Sequence, residues 1–174
     1  MSLLFACSAP NESIESGPSQ AQMKNAIDSI ETFLFEKTNG LHEPSMKRLK
    51  DAYLAYADTF PDDKLSADYC FRAANMARGL KTYPEAISIY QRILDNYPDS
   101  KNYVDSHFMM AVVYDNDLKD KLNAKKVYAE VAQKYPDHKF GKDAQALLDN
   151  KMIDLSDEDL VKFLEEKNKE QVPQ

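Results

Sequence analysis

Apolar residues recur along this chain at intervals of three and four, the spacing that lines one face of a helix. From Ala21 to Lys37 the stripe is Met23, Ile27, Ile30 and Leu34, and the run TNGLHEP breaks it. A second stripe, Met46, Leu49, Tyr53, Tyr56 and Phe60, starts near Pro44 or Ser45 and stops at Pro61, which cannot continue a helix. Ser66 to Gly79 follows, with a face of small residues (Ala67, Cys70, Ala73, Ala74, Ala77) that lets neighbouring helices approach closely; Gly79 is expected to end it as a C-cap. Tyr83 to Tyr97 carries Ala86, Ile89, Tyr90, Ile93 and Tyr97 on one face, and Pro84 sits in its first turn, where a missing N–H is harmless. Further helices are predicted from about Tyr103 to Tyr114, from about Lys121 to Tyr135 and from about Phe140 to Asn150, the last with Ala144, Leu147 and Leu148. A terminal helix, about Asp157 to Lys169, is announced by an N-cap at Ser156, an acid three residues on, and a Leu155–Leu160 hydrophobic staple.

The pattern is also a repeat. Adding 38 to Ala86, Tyr90, Ile93, Tyr97, Pro98 and Asp99 gives Ala124, Tyr128, Val131, Tyr135, Pro136 and Asp137. Subtracting 37 gives Tyr53, Phe60, Pro61 and Asp62, with Leu49 and Tyr56 in place of the alanine and isoleucine, a degenerate first copy. The helices therefore pair antiparallel, and the expected fold is all-α, an α-solenoid of three helix pairs plus a C-terminal helical cap. A stack of pairs exposes its last apolar face unless something covers it, so the terminal helix reads as a solubilising cap, with partner docking as the alternative.

The unit resembles the tetratricopeptide repeat, a helix-turn-helix of about 34 residues. The positions that carry the likeness are Ala74, Ala86, Tyr90 and Pro98, then Ala111, Ala124, Tyr128 and Pro136, within a span of roughly residues 44 to 137. The alanines let the paired helices cross closely and the aromatic fills the gap toward the next repeat. Cys70 and His107 stand where the family places a large aromatic, and the period of 37 to 38 exceeds the family's, the extra residues falling in loops.

At the N-terminus, Leu4-Phe5-Ala6-Cys7 resembles a bacterial lipobox, the end of a signal peptide whose cysteine is lipidated. Six residues before Cys7 are fewer than a full signal carries; a truncated or shortened start explains that, and a chance tetrad on a cytoplasmic protein is the alternative. Residues 8–20 include SAPNESIESGPSQ, a polar tract suited to a tether. With YPDS and YPDH closing the repeats, the chain is similar to periplasmic repeat lipoproteins of the β-barrel-assembly type, which implies a bacterial outer-membrane protein facing the periplasm. The expected organisation is residues 1–7 as a truncated signal, 8–20 as tether, 21–150 as the helical array, and 151–174 as capping helix and tail.

Composition narrows the chemistry. The hydrophobic fraction of 43% supports a buried interior, and four glycines leave little room for glycine-dependent turns. A net charge of -7 without a long basic run disfavours nucleic acid. Two cysteines, Cys7 and Cys70, make neither a zinc cluster nor a disulfide framework, and Cys70 is expected to pack as a small hydrophobe. His42, His107 and His138 show no metalloprotease-like spacing and are expected at the surface or between helices. Asp115-Asn-Asp117 opens like a calcium loop, but Lys119, Asp120 and Lys126 stand where ligand, glycine and glutamate are required. Neither a cofactor nor a metal nor catalysis is expected.

What remains is a binding groove. The resemblance implies that the first helix of each pair lines a concave side, and one helical stripe there comprises Asp68, Phe71, Asn75 and Arg78, then Asp105, Phe108, Val112 and Asp115. Phe71 and Phe108 share a repeat position and would form an aromatic platform with a polar rim for a protein or peptide segment; packing of both rings under a terminal helix is the competing reading. The carboxylate clamp of some relatives needs lysine where Phe71 stands, so capture of a chain terminus is disfavoured although Asn75 matches one clamp position. The sequence thus describes a non-enzymatic scaffold at an envelope membrane through lipidated Cys7, with a cytoplasmic adaptor or self-assembling repeat protein as the alternative.

Overall fold

The computed structural model describes residues 17–40 and 42–149, and every regular element among them is helical. In chain order these are α1 (Gln20–Thr32), α2 (Glu43–Thr59), α3 (Ser66–Gly79), α4 (Tyr83–Asn96), α5 (Tyr103–Val112), α6 (Lys121–Lys134) and α7 (Lys139–Asp149), with π-helical turns at Phe33–Lys37 and Val113–Asp117. Cys7, the tract that follows it as far as residue 16, and the terminal helix expected from Asp157 lie outside the described residues.

Local chemistry sets the helix ends. Ser19 caps α1: its hydroxyl accepts the Gln22 N–H while the Gln22 side chain accepts the N–H of Ser19, so two orphan donors are satisfied at once. Pro44 and Pro84 occupy the first turns of α2 and α4. Phe60, Tyr97 and Tyr135 close α2, α4 and α6 in one shared conformation, φ -127, -131 and -131, each donating its N–H to the carbonyl four residues back. A proline follows each of them and sterically expels its predecessor from the helical region, which is why three helices stop alike.

Two expectations need correction. Gly79 is not the cap residue: it remains helical, and the left-handed position belongs to Lys81, φ 62. The Thr82 N–H reaches back to the Ala77 carbonyl and the Lys81 N–H to that of Arg78, a Schellman ending built on lysine. Gly79 is instead a close approach, since a Cβ there would meet the Met46 methyl at 3.0 Å. The helix predicted to Tyr114 leaves α-geometry after Val112; its wide turn, closed by the Leu118 N–H on the Val113 carbonyl, carries Asp115 inward.

Each helix packs against the next, as short connections require. Ala67, Cys70, Ala73, Ala74 and Ala77 are all buried, so α3 lies close against both α2 and α4. Ala86 and Ala124 are fully buried at the matching crossings of the second and third pairs, beside Tyr90 and Tyr128. The side-by-side order of helices is shown by ion pairs and ring contacts. Arg72 of α3 reaches Glu31 of α1, and Phe108 of α5 stacks on Phe140 of α7, so α1, α3, α5 and α7 form one face. Lys50 and Asp58 of α2 pair with Glu85 and Arg92 of α4, so the second helices form the other.

Candidate functional site

The face formed by α1, α3, α5 and α7 is braced by two rows of charge. In the first, Glu31 accepts from the Tyr53 hydroxyl and from Arg72 (2.9 Å); Arg72 also reaches Asp68 (3.2 Å). Asp68 continues the row to Asn102 (3.1 Å) and Lys101 (3.4 Å) before α5. Burial pulls the Asp68 carboxyl up, but Asn102, Arg72 and Lys101 outweigh it and hold the group below the usual range. In the second row, Arg78 pairs with Asp117 across the second and third pairs, and Asp115 accepts from Lys121 at 2.6 Å. Between the rows lie Phe71 and Asn75 of α3 and Asp105, Phe108 and Val112 of α5, all partly buried.

The residues expected to line a groove therefore divide by what holds them. Asp68, Arg78 and Asp115 belong to the braces, and Asn75 accepts the buried Tyr90 hydroxyl at 2.8 Å. Phe71 tilts over Tyr90 at 5.9 Å (59°), and Phe108 tilts over Tyr128 at 5.4 Å (56°), the same arrangement one repeat later. The two rings then part company. Phe108 also stacks at 4.6 Å, nearly parallel, on Phe140 at the start of α7. Half-buried Phe71 has Tyr90 as its ring partner among the described residues. Val112 packs against the core, and Asp105 is partly buried beside Phe108.

Other features lie off this face. A cavity of about 530 Å³ sits where the start of α3 meets the loop after α4, and it touches the expected stripe through Asp68. His42 bonds Ser45 at 2.8 Å at the start of α2, and His138 lies in the α6–α7 junction. His107 is 5% exposed in the α5–α6 crossing, with Nε2 3.5 Å from Glu130 and no hydrogen-bond partner for Nδ1 among the described residues. Burial lowers its pKa, Lys134 lowers it further, and Glu130 opposes both. Among the described residues, no group of three or more His, Cys, Asp or Glu is placed to hold a metal ion, and no helix is long and apolar enough to cross a membrane.

Sequence reasoning missed Arg72, the centre of the first brace, although its spacing of four from Asp68 marks a helical ion pair. Phe140 as the cover of Phe108 had no local signal, because the stack joins helices more than thirty residues apart. No curated protein matches this chain. The tetratricopeptide repeat family model does match it twice, over residues 71–100 and 105–138: the chain is an all-α, tetratricopeptide-like solenoid, and these two segments are similar to a repeat that generally mediates protein–protein interaction.

Proposed function

We propose that the chain is a non-enzymatic scaffold that binds a protein segment across the face of α3 and α5. The supporting observation is half-buried Phe71 between two rows of committed charge, an apolar anchor with a polar rim. Asn75, Asp105 and Val112 flank the same strip, and Phe108, stacked on Phe140, forms its wall. Truncating an aromatic anchor weakens binding by 2 kcal/mol or more, about thirtyfold, whereas truncating a core aromatic removes roughly 3 to 5 kcal/mol of stability. The test is an array of short apolar-containing peptides probed with labelled protein, beside urea denaturation. Phe71→Ala is expected to keep its midpoint and lose peptide binding; early unfolding, or unchanged binding, overturns the reading.

The location belongs to the same proposal. Leu4-Phe5-Ala6-Cys7 and the polar tract behind it support attachment to an envelope membrane through a lipidated Cys7. Expression from the native start in the source host, followed by detergent partitioning and mass measurement, tests it. Recovery of unmodified protein retaining Met1 would favour the cytoplasmic adaptor.

A further inference from the structure

Asp68 and Asp105 occupy the same position in consecutive repeats, thirty-seven residues apart, and their surroundings differ. Asp68 has three partners: Arg72 one turn on, and Lys101 and Asn102 from the loop before α5. At the matching places around Asp105 stand Met109, thirty-seven residues after Arg72, and Lys139 and Phe140, thirty-eight residues after Lys101 and Asn102. Met109 has no charge to offer. Phe140 has no polar side-chain group, and Lys139, the counterpart of Lys101, lies over the Phe140 ring at 5.6 Å. Asp105 is consequently a half-buried carboxylate with no hydrogen bond or ion pair among the described residues. Arg72, Arg78, Lys101 and Lys121, the cations of the two braces, are all committed to acids. An acidic segment entering the strip would meet like charge, and a basic one would meet Asp105.

We propose that Asp105 receives a cationic side chain of the partner, so that the segment bound here carries arginine or lysine next to an apolar residue. The guanidinium of such an arginine would do for Asp105 what Arg72 does for Asp68, while its apolar neighbour lies toward Phe71. This rests on the binding face proposed above. Half-burial matters, because an exposed pair would add little, whereas a hydrogen bond to a partly desolvated charge adds appreciably.

The test uses fluorescent twelve-residue peptides holding leucine and arginine at varied separations, with matched sets in which citrulline or glutamate replaces arginine. Anisotropy titrations on the full chain are expected to show arginine members binding about five- to tenfold tighter than citrulline members. Glutamate members should be weakest. In Asp105→Asn the arginine advantage should disappear while the urea midpoint stays close to the wild-type value, since among the described residues the carboxylate makes no hydrogen bond or ion pair and contributes only through its place in the first turn of α5. Lys139→Gln distinguishes a partner within the chain: if the variant loses stability that depends on Asp105, or if arginine and citrulline peptides bind the wild type alike, the inference is overturned and the binding face survives. If no peptide of any charge binds, both are overturned.

Discussion

Gly141→Ala adds one methyl group where α7 starts on the end of α6. A Cβ at Gly141 would lie 1.8 Å from the Tyr135 carbonyl oxygen and 2.6 Å from its carbon. A carbon and a carbonyl oxygen ordinarily stay about 3.3 Å apart, so the two backbones must separate by roughly 1.5 Å. Neither atom belongs to a side chain that can rotate away. Two effects compete. Alanine is a better helix former than glycine by about 1 kcal/mol. Against that, overpacking against rigid surroundings costs about 1 to 3 kcal/mol, and displacing α7 loosens the Phe108–Phe140 stack, worth a further ~0.5 to 1.5 kcal/mol. The clash wins, and the expected loss is about 2 kcal/mol. Urea unfolding should show a midpoint lower by about 1 M, with a smaller slope if α7 detaches as a unit. A midpoint equal to or above that of the wild type would mean that helix propensity decides the outcome and that this contact is not the close approach described.

The remaining predictions concern the crossings and the buried histidine. Ala124 is fully buried in the third pair, so Ala124→Leu should lower stability by about 1 to 3 kcal/mol in chemical denaturation, and an unchanged midpoint would show the repeat register to be wrong. Because Phe108 is sandwiched between Tyr128 and Phe140, Phe108→Ala should melt early and cost about 3 kcal/mol or more, unlike Phe71→Ala; equal melting of the two variants contradicts the difference in packing. The lowered pKa of His107 means that the folded chain takes up a proton less readily than the unfolded one, so this contribution is intact above the ordinary value of 6.5 and is lost as pH falls through the lowered one. The urea midpoint should therefore drop on acidification from about pH 7 to about pH 5, and less steeply in His107→Gln; equal slopes in the two proteins would exclude His107 as the cause.

The helices were legible because their causes are local. Spacing of three and four residues puts Leu49, Tyr53 and Tyr56 on one face whatever the rest of the chain does, and the proline after Phe60, Tyr97 and Tyr135 stops each helix by steric conflict with its neighbour. The repeat followed from the same stripes, and with it the expectation that Ala86 and Ala124 sit at helix crossings. The end of α3 was misread on Gly79 because a glycine there suggests a cap, whereas the contact with Met46 comes from a different helix and leaves no trace in the local pattern.

For the candidate site, the stripe of Phe71 and Phe108 on equivalent turns could be read from spacing, but their different surroundings could not. Only the tertiary structure sets Phe140 over Phe108, Tyr135 against Gly141, and Arg72 against Glu31. Asp105 shares its repeat position with Asp68 but, among the described residues, not its partners: Met109 in place of Arg72 is legible in the sequence, whereas the place at which the loop before α7 sets Lys139 is not. Periodicity determines which side of a helix a residue occupies; what stands opposite it is decided when helices remote in sequence pack together.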